Sequence, residues 1–411
     1  MTAETPATPP TGTRRRLDHI DAMRPVKQAA VVSTHALIFF APLATNTTVV
    51  GLIMLTRFSR DAFLFVSACM LTYSYRSTPK VAALPYAKRR FMSVGVPYLT
   101  WTVLYFVYTS LTNRSSFPYY GLNTARIFSW SGARLLIHLT ATGYYHLYYL
   151  LVIGEFYILF PLMLRFIRRH PTWHWRILVV SFVWQIAYGA WVSSPHSFLA
   201  LSGLLQTRLI LSYVVYIVGG VIVALHLDEV HQWIVRHVAL IIGGTLGAMA
   251  LAEILTYVGA EHFLPTFVRT GAYVYSPLII PYNIGAILCV YLLGVYLTAP
   301  ARRARLRAMV QSGSDNSYGV YLSQMVWIPA LVRLRGASGI HLPWEVAAPL
   351  AVVIVYSVGF VFTAIMARTW VAKGVTGRSR ATWSSLPPRR RLPVVVERGD
   401  LADGPMDVVE P

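Results

Sequence analysis

The chain has 411 residues, 55% of them hydrophobic and only 13% charged, with a mean hydropathy of +0.52. That balance excludes a soluble globule with a polar surface and points to an all-α, polytopic membrane protein. The formal net charge of +20 would suggest nucleic acid in a soluble chain, but Lys and Arg gather in the cytoplasmic loops of membrane proteins, so no nucleic-acid partner is expected.

Residues 1–16, MTAETPATPPTGTRRR, are Pro/Thr-rich and then basic, and read as a disordered cytoplasmic tail. No small-residue cleavage site follows the first apolar run, which is long enough to span, so that run reads as a retained first helix. Apolar runs predict helices at about 25–45, 60–77, 91–112, 146–164, 177–194, 205–225, 237–258, 279–298, 317–333 and 346–370. This makes about ten transmembrane helices in one membrane domain, 17–374, with no internal repeat. With the N-terminus in the cytoplasm, most of the 36 Lys and Arg fall on that side, which places both termini inside. The tail 375–411 is rich in Pro and charge and reads as disordered, with an RRR run suited to anionic lipid. The outer loop near 113–145 carries aromatics that suit either an acceptor or an interfacial aromatic belt. Cys69 and Cys289 lie inside predicted spans and read as reduced packing residues.

The first helix holds the most informative pair. His35 sits well inside the apolar run, where an ionisable ring is a functional candidate by default. Arg24 precedes it by eleven residues, which is about three helical turns with some 20° left over. The two therefore share a face, with Gln28 between them, and the rise of about 16 Å puts Arg24 near the cytoplasmic surface and His35 near the midplane. Pro25 suits the first turn of this helix, and Asp18 or Asp21 its cap. A neutral imidazole can take a proton from a hydroxyl near neutral pH, as acyl transfer to an alcohol requires.

The segment LDHIDAMRPVKQAAVVSTHAL, with Asp, then Arg, ten residues and His, resembles the opening of the acyltransferase-3 family of integral membrane acyltransferases. In order, FSRDAFLFVSACMLTYSYR is similar to that family's Phe-Phe-x-x-Ser-Gly helix, YAKRRFMSVGVPYLTW to its basic loop, YYHLYYLLVIGEFYILFPLM to its His-Leu-Trp-Phe helix, and SDNSYGVYLSQMVW to its late Ser-x-Gly-x-Tyr-Leu-x-His helix. The resemblance covers about 17–370. Ala68 replaces the usual glycine, Tyr148 and Tyr149 the usual Trp-Phe, and Gln324 the late histidine, so any proton-handling role at that last position is lost or changed.

The resemblance implies an integral membrane O-acyltransferase of the cell membrane. Such a protein moves an acyl group, commonly acetyl, from cytoplasmic acyl-CoA to a hydroxyl of a sugar, a cell-envelope glycan or a secondary metabolite. The phosphates of acetyl-CoA need fixed positive charge on the cytoplasmic side, which Arg24 and the triplet Lys88, Arg89 and Arg90 supply; topogenic charge bias explains the triplet equally well. His35 would act as general base, with an acyl-histidine left open. Arg60, Tyr144, Tyr145 and His146 are candidates by position for substrate or oxyanion contact, and Glu155, on a segment that matches the family, is a further one. Glu155 and Glu253 inside spans are expected to pair with an Arg or to sit protonated. His170, His174, His196, His226, His231 and His237 lack metal-ligand spacing, so no metal is expected, and no P-loop or dinucleotide fingerprint is present. The competing reading is a glycan or metabolite transporter or flippase with no chemistry, which ten spans and a midplane ionisable group also suit.

Overall fold

A computed structural model describes residues 17–43, 45–78, 81–111, 128–193, 208–270, 277, 279–300, 302 and 304–380, with side chains described except at 192–193 and 256–270. The two tails, 1–16 and 381–411, and most of the aromatic-rich loop, 112–127, lie outside the described residues.

No strand occurs among the described residues. The helices are α1 (Asp18–Phe40), α2 (Thr47–Thr56), α3 (Phe58–Tyr75), α4 (Ala83–Arg90), α5 (Val96–Leu111), α6 (Trp130–Thr142), α7 (Tyr148–Arg169), α8 (His174–Ser193), α9 (Val214–Leu225), α10 (Leu227–Arg236), α11 (Val238–Thr270), α12 (Ile279–Thr298), α13 (Ala304–Ser338), α14 (Trp344–Met366) and α15 (Ala372–Thr376). A π-helical turn, Phe91–Gly95, joins α4 to α5.

Each predicted apolar run holds a helix, but the count of clear spans is smaller than ten. Among the described residues, five helical stretches are long and apolar enough to cross a membrane: Ala83–Leu111, Tyr145–Arg169, Val238–Leu255, Ile279–Thr298 and Trp344–Met366. A sixth arises if Ile210–Leu225 and Leu227–Arg236, bent by 104°, are one broken span. The helices α1, α3 and α13 have the length, at 23, 18 and 35 residues, but their polar side chains lower their hydropathy, and α8 has 20 residues. The short helix α2 and helix α6, inside the predicted outer loop, were not expected from the apolar pattern; α6 starts on a Ser129 side-chain cap that accepts from Gly132 N–H.

The first helix also starts earlier than its apolar pattern suggests. It begins at Asp18 with Leu17 as N-cap and no side-chain cap, so Asp18 and Asp21 lie in its first turn, where negative charge suits the helix dipole. Pro25 is therefore inside the helix and leaves the Asp21 carbonyl without its usual partner.

Helix α1 is the hub, packing against α2, α3, α12, α13 and α14. Close approach is set by small residues, as between helices in lipid. A Cβ at Gly294 of α12 would collide with the carbonyl oxygen of His19 on α1, and one at Gly220 of α9 with that of Phe65 on α3. The outer faces of α7, α8, α11 and α14 expose Ile158, Val180, Leu240 and Val353, as surfaces against lipid would.

Candidate active site

The site is assembled around His35, on α1. Its ring lies 5.4 Å from the ring of Tyr145 and 6.3 Å from that of His146, centroid to centroid, and its Nδ1 is 3.5 Å from the Tyr145 hydroxyl, the outer limit of a hydrogen bond. Arg57, at the joint of α2 and α3, is close enough for its charge to act on the His35 ring.

Tyr145 reaches His35 because the chain turns sharply between α6 and α7. Gly143 has φ 78° and stands so close to the Tyr148 backbone that no Cβ fits there. Tyr145 itself has φ 38°, the one positive value among the described non-glycine residues, a strained conformation that surrounding packing must hold. The turn sends neighbouring tyrosines apart. Tyr144 stacks on Tyr105 at 4.7 Å and 7°, with its hydroxyl 3.2 Å from Thr109, whereas Tyr145 turns to His35.

His146 is buried against α13, 5.1 Å from the Tyr321 ring, and its carbonyl accepts from the Tyr321 hydroxyl at 2.6 Å. Its ring nitrogens lie towards the carbonyls of Tyr321 and Leu322 without reaching hydrogen-bond geometry.

The other sequence candidates are placed differently. Arg60 turns inward, with Nε 3.3 Å from Asp61 and its guanidinium 5.0 Å from the Tyr213 ring, while its carbonyl accepts from Tyr149 at 2.5 Å. Glu155 accepts the Ile210 N–H at 2.8 Å and so caps the turn before α9. Glu253 stands against Gly51 of α2. Cys69 and Cys289 are free. His174 and His226 pair at 2.7 Å, and His231 lies 2.9 Å from the Tyr291 hydroxyl, all remote from the family-like stripe in sequence.

The basic triplet divides. Lys88 and Arg89 are exposed, whereas Arg90 turns onto the Tyr157 ring at 5.4 Å, at the edge of a cavity of about 990 Å³ lined by Arg90, Phe91, Tyr98, Leu150, Glu155 and Tyr157. Arg24 pairs with Asp21 at 3.4 Å, and its charge also acts on the Tyr157 phenol that the Arg90 guanidinium overlies. The charges of Arg24 and Arg90, on two helices, therefore both act on this phenol.

Two buried charged residues escaped the sequence reading. Lys27 is 4% exposed and holds its ammonium 3.3 Å from the centre of the Phe63 ring, and that ring also packs on Tyr149 and Tyr321. Asp61 is 1% exposed; it takes Arg60 on one oxygen and Asn283 Nδ2, at 2.7 Å, on the other. A carboxylate directly beside Arg60 in an apolar run was the available signal for Asp61.

Comparison with known proteins adds one finding. The model of a family described as an acyltransferase domain matches residues 18–368. No curated protein and no solved structure matches the chain. The match takes in α1 to α14 and every site residue described above, so the chain belongs to the acyltransferase-3 family of integral membrane acyltransferases.

Proposed function

We propose that the protein transfers an acyl group, acetyl first among the choices, from cytoplasmic acyl-CoA to a hydroxyl of a sugar, a cell-envelope glycan or a secondary metabolite. In this reading α1, α3, α8 and α13 also cross the plasma membrane, which with the six apolar spans makes ten. Their polar faces turn inward, where an ionisable side chain can be satisfied. The observation that carries the reading is the α1 stripe. Arg24 stands at one end, where its charge and that of Arg90 act on the same phenol, and His35 with two aromatic partners lies about 16 Å along the helix.

The chemistry follows from the residues. The phosphates of the donor meet Arg24 and Arg90, and the thioester lies along the stripe towards His35. With Nδ1–H given to the Tyr145 oxygen, His35 Nε2 carries the lone pair. Nε2 takes the proton of the acceptor hydroxyl as its oxygen attacks the thioester carbonyl. The C–S bond then breaks, the ester forms, and the departing thiolate takes the proton back from Nε2. The Tyr145 hydroxyl, accepting from Nδ1–H, keeps its own proton to offer the developing oxyanion.

The test is acyl turnover in membranes holding the full chain, with labelled acetyl-CoA and a host extract as acceptor source. Label is expected to pass to an extractable acceptor only when the protein is present. No transfer from any acyl-CoA would leave the transporter reading in its place. Within this reading the two neighbouring arginines should differ. Arg90→Gln is expected to raise KM for the donor about tenfold, the size of one lost charge-assisted contact, while Arg89→Gln, on the exposed face, leaves it nearly unchanged. Equal effects from both would make the triplet a simple field of positive charge.

A further inference from the structure

Two glutamines in the heart of the bundle have no hydrogen-bond partner among the described residues. Gln28 on α1 is 1% exposed and Gln324 on α13 is fully buried, yet neither the amide nitrogen nor the amide oxygen of either has a hydrogen-bond partner among the described residues. Four orphaned polar atoms at one helix seam are unusual, since buried polar groups are nearly always paired. Leaving them unpaired is costly unless a further molecule satisfies them.

Their placement says where that molecule would lie. Gly313 of α13 stands against the Pro25 ring of α1, and further along Tyr321 packs on His146, which in turn faces His35. The two helices therefore run in the same direction. Gln324 follows Gly313 by eleven residues, about three turns, so it keeps to the α1-facing side and reaches the level of His35. Gln28 lies one turn beyond Arg24 on the stripe that leads to His35. One glutamine thus stands near each end of the span between the arginine and the histidine, on opposite walls.

We propose that Gln28 and Gln324 hold the amide groups of the pantetheine arm of the donor. The inference rests on the acyl-CoA reading above. The arm is an apolar chain interrupted by two secondary amides, each with one N–H and one carbonyl to satisfy. A primary amide side chain offers a donor and an acceptor together, which is the complement of a secondary amide. Gln324 stands where the resembling helix of the family carries histidine, and it supplies both bonding roles without any change of protonation.

The experiment uses the purified full chain in lipid nanodiscs, wild type beside Gln28→Met and Gln324→Met, which keep the length of the side chain. Two probes are compared: coenzyme A, and adenosine 3′,5′-bisphosphate, which has the 3′-phosphate and adenosine but no pantetheine arm. Each variant is expected to bind coenzyme A about tenfold more weakly, the size of one lost hydrogen bond. Binding of the bisphosphate should be unchanged. The empty variants should melt at the same temperature as wild type or higher, because an orphaned polar group has been removed. A lower melting temperature of the empty variants, or unchanged binding of coenzyme A, would overturn the proposal and give the glutamines protein partners. Absence of binding of either probe to the wild type would overturn the acyl-CoA reading itself, and the proposal with it.

Discussion

Replacing His35 by Gln is expected to lower the turnover of acyl transfer by roughly a hundred- to ten-thousand-fold, the range spanned by general-base groups. Gln keeps much of the volume of the imidazole and can still bond the Tyr145 hydroxyl, so the strained turn that carries Tyr145 should stay in place. What it removes is the ability to take a proton. The loss should therefore appear in kcat with little change in the donor KM, measured in membranes where insertion of the variant is checked by its detergent-extracted size profile. A variant that turns over at the wild-type rate would take His35 out of the chemistry, and the proton would need another acceptor. His146 is the nearest such ring, at 6.3 Å.

The second large effect is on stability. Asp61→Ala is expected to destabilise the folded bundle by about 3–5 kcal/mol, the usual cost of deleting one partner of a buried ion pair. The reason is the position of Asp61, not its charge alone. It closes the junction of α3, α9 and α12, where its carboxylate takes Arg60 on one oxygen and Asn283 on the other, with the Tyr216 hydroxyl 3.5 Å from the same Asn283 nitrogen. Removing it takes the buried carboxylate away from Arg60 and the shorter of two acceptors away from Asn283. The checking measurement is the thermal midpoint of the extracted protein together with its yield. Asp61→Asn separates the charge from the hydrogen bonds: it should recover part of the loss if Asn283 matters, and none if only the ion pair does.

The Arg24–His35 stripe was legible because it needs nothing beyond the 3.6-residue period and a continuous helix, and α1 runs unbroken from Asp18 to Phe40. The inward turn of Arg90 was within reach of the same period. Tyr86, four residues earlier, is buried, and positions four apart share a face. The assignment of Tyr145 over Tyr144 was beyond it. Adjacent residues of one type differ there only through a positive φ that tertiary packing imposes, and no local propensity announces that. Lys27 counted as one more cytoplasmic charge in the sequence, because its partner, Phe63, lies on another helix. The count of spans was harder to read for a related reason. The helices that carry the site, α1 and α13, are among the most polar of the long ones, so the function itself weakens the hydropathy signal.

The hub position of α1 has a consequence for biosynthesis. Among the described helices it is made before all the others, and three of its five packing neighbours, α12, α13 and α14, come from residues 279–366. Until they are made, Lys27 and Gln28 have no complete protein surround to shield them from acyl chains. Helices in a bilayer form singly and then associate, so the order of synthesis leaves the earliest helix waiting longest for its neighbours. A ribosome that stalls before residue 279 would release a chain whose α1 is poorly suited to lipid. Such a chain is a natural substrate for membrane proteolysis, and the length of chain completed sets whether the His35 centre exists at all.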